Sequence, residues 1–320
     1  MKQGQHIRGY VIGTKPSNLN AGKCVWAFAE KDGKEYFVKE FLEPVLPRPD
    51  SMGSLASKQR RYALCQEFEQ RHQRVFSLLR ADDLNAGNLV LPVDFFVDGT
   101  RYYKITDRVH DVEADPAGLT PAAQLVLLRT LVDSLVLLHG KDMVHGDLKP
   151  TNILFHRPKN SMFHTAKLID FDDAYQAGHP PPPEVIGGDP SYGAPEWVCY
   201  QSQVDTTGSM LTQATDMFAL GLLIHVFVFG ALPYFDETHE SPAGAVTSGA
   251  GLSWDARAGT ELIALLTALT SLDPADRPNS AAVEQALRDP ELLRPVSTMP
   301  SRLRINLAGR PPRRERTGKT

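Results

Sequence analysis

The sequence contains few cysteines and no large excess of positive or negative charge. Its three cysteines, Cys24, Cys65 and Cys199, are far apart and form no CxxC pair. An odd, scattered set of this kind argues against a disulfide framework and against a structural zinc site. The 34 Lys and Arg are nearly balanced by 38 Asp and Glu, which leaves a net charge of −4. The molecule as a whole is therefore not a basic nucleic-acid binder.

An apolar leader is missing from the first ten residues, MKQGQHIRGY, so we expect no secretory signal. The one long hydrophobic run, residues 217–235, is about long enough to cross a bilayer. It contains His225, two glycines and a proline, and Asp216 precedes it. These features favour a buried helix of a globular domain, and we therefore expect a cytoplasmic protein without a membrane span.

The composition is that of a folded chain, with 42% hydrophobic and 22% charged residues. Strand patterns flank the turns at Asp32-Gly33 and Asp98-Gly99, and a long helix is predicted over residues 57–80 between them. From residue 120 onward the pattern is helical. Because strands come first and helices follow, the sequence predicts an α+β protein of two lobes.

The last 27 residues, 294–320, have a different composition from the rest. They contain seven Arg and one Lys against one Glu, with several prolines and no sustained apolar period. We predict a disordered basic tail. A solvated tail is the favoured interpretation, and binding of an acidic partner or nucleic acid through residues 302–319 is the alternative.

The strongest chemical pattern is VHGDLKPTNIL over residues 144–154. It places Asp147, Lys149 and Asn152 at spacings of 0, +2 and +5, and a further carboxylate, Asp170, follows a short apolar strand. Phosphoryl transfer from ATP needs a carboxylate that accepts the hydroxyl proton and a lysine that neutralises the transferred group. It also needs amide and carboxylate oxygens, which are ligands that Mg²⁺ prefers.

This segment resembles the HRDLKPxN catalytic loop of eukaryotic-type (Hanks-type) serine/threonine protein kinases, and the DFD at 170–172 resembles their DFG motif. The resemblance implies an enzyme that transfers the γ-phosphate of ATP to Ser or Thr hydroxyls of a protein. It implies that Asp147 is the catalytic base and that Lys149 contacts the transferred phosphate. Asn152 and Asp170 would then bind Mg²⁺ or Mn²⁺.

The resemblance extends over about residues 5–290. The APE motif at 194–196 and the sequence from Asp216 to Gly221 match two further kinase motifs. Arg277 stands where the family's arginine pairs with the APE glutamate, and a buried carboxylate needs such a partner. The resemblance thus implies a structural ion pair between Glu196 and Arg277.

The block from Gly22 to Lys39 aligns without gaps on the family's GxVxxA…VAIK region. Gly22 would be the third glycine of the phosphate-binding loop, and Lys39 would hold the α- and β-phosphates. The partner of Lys39 should be a glutamate on the long helix. Glu69 is favoured because it shares the apolar side of that helix, and Glu67 is the alternative.

The hinge is implied at residues 107–109, where backbone groups of Asp107 and Val109 would bind adenine and Thr106 would be the gatekeeper. This divides the chain into a small β-rich N-lobe, a hinge, a larger and mostly helical C-lobe, and the tail. The expected boundaries are 1–106, 107–109, 110–293 and 294–320.

Four departures from the family pattern concern the nucleotide site and the substrate site. Ser17 and Leu19 replace the first two glycines of the loop, which weakens its approach to phosphate. Phe37 stands where an alanine roofs the adenine, so its ring could fill that pocket. Asp172 replaces the DFG glycine. Asp189 replaces the threonine of GTxxYxAPE and weakens the assignment of Ser/Thr specificity.

The regulatory residues of the activation segment also differ. Gly146 replaces the arginine that normally receives an activating phosphate. Between Phe171 and Asp189 there is no Ser or Thr, and Tyr175 is the only hydroxyl group. We therefore predict a non-RD kinase that needs no activation-loop phosphorylation.

Two other functions stay open. A pseudokinase or nucleotide-binding scaffold would explain the degraded loop and Phe37. A small-molecule phosphotransferase is suggested by HGD and IDFDD, which also resemble aminoglycoside and choline phosphotransferases. The compact and divergent kinase sequence resembles those of bacteria. Similar bacterial kinases are paired with metal-dependent protein phosphatases or von Willebrand type A domain proteins, and these are the partners expected here.

Overall fold

The computed structural model describes residues 1–296 except for ten positions: Asn20, Pro49, Ser51, Gly53, Ala81, Asp82, Leu84, Asn85, Asp205 and Thr206. Within this part the chain forms a β-rich N-terminal lobe and a mostly helical C-terminal lobe, which confirms the predicted α+β, two-lobed fold. The predicted tail lies outside the described residues from position 297 onward.

The N-lobe is built on a six-stranded antiparallel sheet in the order β1-β2-β3-β4-β6-β5. Its apolar residues alternate along the strands, so one sheet face packs a core that includes Ile12, Ala27, Val38 and Ile105. The strands are β1 (His6–Ile7), β2 (Tyr10–Ile12), β3 (Cys24–Lys31), β4 (Lys34–Phe41), β5 (Pro92–Asp98) and β6 (Arg101–Asp107).

Helix α1 (Leu55–Leu78) lies against the other face of this sheet. The Ser54 hydroxyl accepts the N–H of Ser57 and caps its first turn. Its buried residues recur at three and four, and they are Cys65, Phe68, His72 and Val75. This narrow stripe is the reason that a mostly polar segment is helical.

The C-lobe core is made by four helices and a two-stranded ribbon. Leu127, Leu220, Leu266 and Val283 belong to one buried cluster that joins α2, α4, α6 and α7. The elements are α2 (Pro121–Gly140), β7 (Met143–Val144), β8 (Ile153–His156), β9 (Thr165–Leu168), β10 (Tyr175–Gln176), α3 (Pro195–Gln201), α4 (Ala214–Phe229), α5 (Pro242–Thr247), α6 (Thr260–Leu269) and α7 (Ser280–Ala286). Strands β8 and β9 pair with each other, as do β7 and β10.

The hydrophobic run around α4 is a buried core helix, as predicted. Thirteen of its sixteen residues are buried. Among the described residues, α2 is the one helix whose length and hydropathy would let it cross a bilayer. Leu127, Leu131, Leu135 and Leu138 on α2 are fully enclosed by the C-lobe core, which accounts for its apolar sequence.

Candidate active site

The catalytic loop lies between β7 and β8 and folds back on itself. The Asn152 side-chain amide donates to both the backbone oxygen and Oδ2 of Asp147, each at 2.8 Å. Lys149 Nζ lies 2.9 Å from the same Oδ2. The structure therefore brings together the three loop residues that the sequence singled out.

Asp147 keeps one oxygen for another group. Its Oδ1 atom is buried and has no hydrogen-bond partner in the described part of the chain. Burial raises the pKa of Asp147, and the neighbouring Lys149 opposes that effect without cancelling it. A buried acceptor without a donor is costly in a finished structure, so the oxygen is placed to receive a donor from a bound molecule.

The loop is clamped by a buried carboxylate at the start of α4. Asp216 accepts the backbone N–H groups of His145 at 2.7 Å and Gly146 at 3.1 Å, and it also accepts from His139 at 3.1 Å. Burial alone would raise the pKa of Asp216, but these donors hold it below its usual value. In the sequence, Asp216 stands out only as the start of a helix motif, and nothing there indicates this positioning role.

The DFD segment is tied to the catalytic loop by His145, whose Nε2 donates to the Ile169 carbonyl at 3.0 Å. Asp170 follows with φ 63°, in the left-handed region. Lys39 Nζ donates to both of its carboxylate oxygens, at 2.8 and 3.0 Å, and Lys104 Nζ lies 3.1 Å away. Lys39 and Asp170, 131 positions apart in sequence, thus meet in the structure, a contact that was not predicted from the sequence.

The ion pair expected between Lys39 and Glu69 is not formed in this structure. Glu69 instead accepts a 2.6 Å hydrogen bond from the Tyr102 hydroxyl. Lys39 Nζ lies 2.6 Å from Asp172, the residue that replaces the DFG glycine. The physical reason is that His72, rather than Glu69, is on the inward stripe of α1. The alternative partner, Glu67, is exposed to solvent.

Two further contacts of the site were not predicted from the sequence: that of Asp172 with Lys39 and that of Asp172 with Lys104. Asp172 also contacts Lys104 Nζ, and burial, which would raise its pKa, is outweighed by Lys104 and Lys39, so its pKa falls well below the usual range. Burial lowers the pKa of Lys39, but Asp172 and Asp170 raise it well above its usual value. A lysine inside the apolar strand YYKIT was the one available clue.

The roof of the cleft is aromatic. Phe37 follows the alternation of β4, so it shares a sheet face with Lys39 and is paired in register with Thr106 on β6. Its ring is stacked on Trp26 at a centroid distance of 5.6 Å, and the Phe28 ring lies edge-on at 6.1 Å. The ring that the sequence placed as a possible filler of the adenine pocket is therefore part of an aromatic cluster on the cleft face.

The segment that replaces the glycine loop is fastened to β3. The Trp26 indole donates to the Leu19 carbonyl at 2.9 Å, and the Leu19 N–H donates to the Ser17 hydroxyl at 3.1 Å. Backbone bonds between Ser17 and Trp26 close the turn. Gly22 is exposed and lies two residues before β3, with φ 53°. Side-chain bonds thus stiffen a loop that glycines would leave free.

The hinge positions lie at the end of β6. Thr106 is buried, whereas Asp107 is paired with Lys34 at 2.7 Å on the surface. Val109 follows two residues after the strand ends. The backbone groups that the sequence assigned to adenine therefore border the cleft between the lobes, and their roles remain predictions.

The activation segment packs directly on the glycine that replaces the catalytic-loop arginine. Gly146 has φ 78°, and a Cβ atom there would lie 2.7 Å from the Asp173 carbonyl oxygen and 3.0 Å from the Tyr175 ring. Tyr175 is 4% exposed, and its hydroxyl has no hydrogen-bond partner among the described residues. It pairs in register with Val144, which orders the segment beside the loop.

The substrate side of the loop ends at the APE motif. Asp189 Oδ2 lies 3.7 Å from Lys149 Nζ, and its backbone carbonyl accepts from Tyr192 and Gly193. The predicted ion pair of the motif is confirmed, because two Arg277 nitrogens donate to the two Glu196 oxygens at 2.7 and 2.8 Å. Both side chains are nearly fully buried.

The donor set fits a hard divalent cation. The amide nitrogen of Asn152 donates two hydrogen bonds to Asp147, and the amide oxygen takes part in neither of them. Together with the Asp170 carboxylate this gives oxygen ligands of the kind that Mg²⁺ and Mn²⁺ prefer. The cationic Lys39 stands beside them, where a nucleotide phosphate needs a positive charge.

The sequence matches the model of the protein kinase domain over residues 57–290. It is 27% identical to the serine/threonine-protein kinase GRIK2 of Arabidopsis thaliana over 72% of this chain and 53% of that protein. It is 25% identical to a probable myosin light chain kinase of Dictyostelium discoideum, over 67% of this chain and 68% of that protein.

A bacterial relative is the serine/threonine-protein kinase pkn2 of Myxococcus xanthus, 27% identical over 58% of this chain and 21% of that protein. The matched region therefore spans about half of GRIK2 and about a fifth of pkn2. With most of its length inside the family model, the chain belongs to the Hanks-type serine/threonine protein kinase family.

Proposed function

We propose that the protein transfers the γ-phosphate of Mg-ATP to a serine or threonine hydroxyl of a protein substrate. The observation that carries the proposal is the buried Oδ1 of Asp147, which has no hydrogen-bond partner among the described residues, in a side chain that contacts Lys149 and Asn152. A bond forms between the substrate oxygen and the γ-phosphorus, the bond to the β-phosphate oxygen breaks, and ADP leaves. Asp147 takes the hydroxyl proton.

Each charged residue has a separate task in this transfer. Lys149 neutralises charge on the transferred phosphoryl group, and Lys39 holds the α- and β-phosphates. Asn152 and Asp170 hold the divalent cation, which neutralises phosphate charge when it is bound. The 2.9 Å contact between Lys149 and Asp147 supports this division, because it places the phosphate-binding cation next to the base.

We further propose that the enzyme is active without phosphorylation of its activation segment. Tyr175, the only hydroxyl residue between Phe171 and Asp189, is buried against Gly146. A kinase cannot reach a ring that is 4% exposed without local unfolding. Stoichiometric, activating phosphate at Tyr175 in a phosphosite map would contradict this proposal.

The test is transfer of radiolabelled phosphate to a generic protein acceptor, followed by identification of the phosphorylated amino acid. We expect phosphoserine or phosphothreonine, and we expect Asp147→Asn to lower the rate about 100- to 10,000-fold, the usual contribution of a general base. Asp276→Asn, the same change at an exposed carboxylate, is the matched control. Equal rates for wild type and Asp147→Asn would refute the assignment.

A scaffold with little turnover is the second candidate, and the aromatic roof favours it. Phe37 lies on the cleft face, and the loop before β3 lacks two glycines. If the ring blocks the adenine pocket, Phe37→Ala should create nucleotide binding that the wild type lacks. If the wild type binds Mg-ATP and transfers phosphate, and Phe37→Ala binds no better, the stacked ring leaves the pocket open and the scaffold interpretation is wrong.

A further inference from the structure

The cleft contains two neighbouring lysines where one was expected. Lys39 on β4 and Lys104 on β6 are direct partners in the strand register. Their side chains are only 10% and 6% exposed. Like charges directly opposite each other destabilise a sheet, and buried cations need anions close by. The two ammonium groups therefore need at least one buried carboxylate to compensate their charge, because they are too enclosed for solvent to do so.

Asp172 meets this requirement. One of its oxygens lies 2.6 Å from Lys39 Nζ, and the other contacts Lys104 Nζ. The imidazole Nε2 of His72, on α1, lies 3.3 Å from the second oxygen. Asp172 is 14% exposed, whereas Asp170 is 30% exposed. The deeper carboxylate thus bridges both lysines and links them to the helix.

The carboxylates that pair with Lys39 in the described part of the chain both belong to the DFD segment. Among the described residues its carboxylate partners are Asp170 and Asp172, and the helix residue Glu69 is engaged by Tyr102. If Asp170 holds the cation, as the proposed function requires, its two oxygens are no longer both available to Lys39. Asp172 then remains as the group that fixes the lysine.

We propose that Asp172 is the positioning residue for Lys39, with Lys104 holding the Asp172 carboxylate in place. This inference rests on the proposed function, because it assigns Lys39 to the nucleotide phosphates. Two unusual residues then act together: Asp172, which replaces a glycine, holds Lys39, and Lys104 inside β6 holds Asp172. Lys39 is then oriented by a carboxylate of the DFD segment and not by a glutamate of α1.

The test compares wild type, Asp172→Asn and the double variant Lys104→Met/Asp172→Asn. Asp172→Asn leaves two lysines to share Asp170, so both melting temperature and activity should fall. The double variant removes one cation with one anion and restores the charge balance. We expect its melting temperature to return close to that of wild type while KM for ATP stays about tenfold or more above it.

A second readout separates this proposal from the proposed function. The dissociation constant of a non-hydrolysable Mg-ATP analogue, measured by calorimetry, should rise with KM in both variants, while KM for the protein acceptor stays unchanged. A wild type that binds the analogue but transfers no phosphate would refute the proposed function and leave the binding comparison intact. A wild type that binds no nucleotide would refute both.

Three results would overturn the positioning role. If KM and analogue binding recover in the double variant, Asp172 serves only to neutralise Lys104. If Glu69→Gln raises KM for ATP as much as the double variant does, α1 holds Lys39 in the working enzyme. Glu284→Gln, which breaks an exposed ion pair with Arg288, is the control for nonspecific effects of losing a carboxylate. An equal effect of that control would also remove the proposal.

Discussion

Substitution of Gly146 by alanine should destabilise the protein more than its backbone conformation alone explains. At φ 78° any L side chain costs about 1–2 kcal/mol. The added Cβ would also lie 2.7 Å from the Asp173 carbonyl and 3.0 Å from the Tyr175 ring. Overpacking of this kind costs typically about 1–3 kcal/mol, so we expect a total loss of about 2–5 kcal/mol.

Gly4 provides a matched control, because it has the same φ of 78° and nothing lies within 4 Å of the position of a Cβ. Gly4→Ala should therefore lose only the conformational part, about 1–2 kcal/mol. Denaturant unfolding of both variants measures the difference. Equal losses for the two would refute the claim that the activation segment is packed on Gly146. Phosphate transfer should fall only in Gly146→Ala, since that variant displaces the segment beside Asp147.

Two further predictions concern buried charge. Arg277→Leu leaves Glu196 buried without its partner and should cost about 3–5 kcal/mol in unfolding free energy, whereas Arg288→Leu on the surface should change stability little. An equal effect of both would contradict the structure. Burial and the nearby aspartates raise the pKa of Asp173 from 3.8 to about 6, so the folded state resists its ionisation and loses stability as pH rises from about 4 to 6. Asp173→Asn should stabilise the metal-free protein by about 3 kcal/mol at pH 8, with the gain vanishing near pH 4, and a gain that is independent of pH would refute this.

The catalytic loop could be predicted because its geometry is local. Asp147, Lys149 and Asn152 are separated by two and three residues, and the short loop brings their side chains together. The burial of helix α4 could be predicted equally well, because an apolar run interrupted by His225 fits a protein core better than a membrane. The pairing of Glu196 with Arg277 followed from the family resemblance.

The partner of Lys39 could not be predicted, because it depends on how three distant segments approach one another. The periodicity of α1 identified its inward side, but the position of Glu69 beside that stripe let its side chain reach Tyr102 instead. Lys104 stood in an otherwise apolar strand, and its partner Asp172 is 68 positions away. Strands β1 and β2, with two and three residues, are too short for an alternating pattern to reveal.

The most direct measurement of the central claim combines calorimetry of Mg-ATP binding with radiolabelled phosphate transfer, on the same preparations of wild type and Asp170→Asn. We expect that wild type binds Mg-ATP and transfers phosphate, and that Asp170→Asn, which weakens the cation site, loses transfer. A wild type that binds no nucleotide would contradict the account. The aromatic roof and the stiffened loop would then have closed the site, and the protein would be a scaffold.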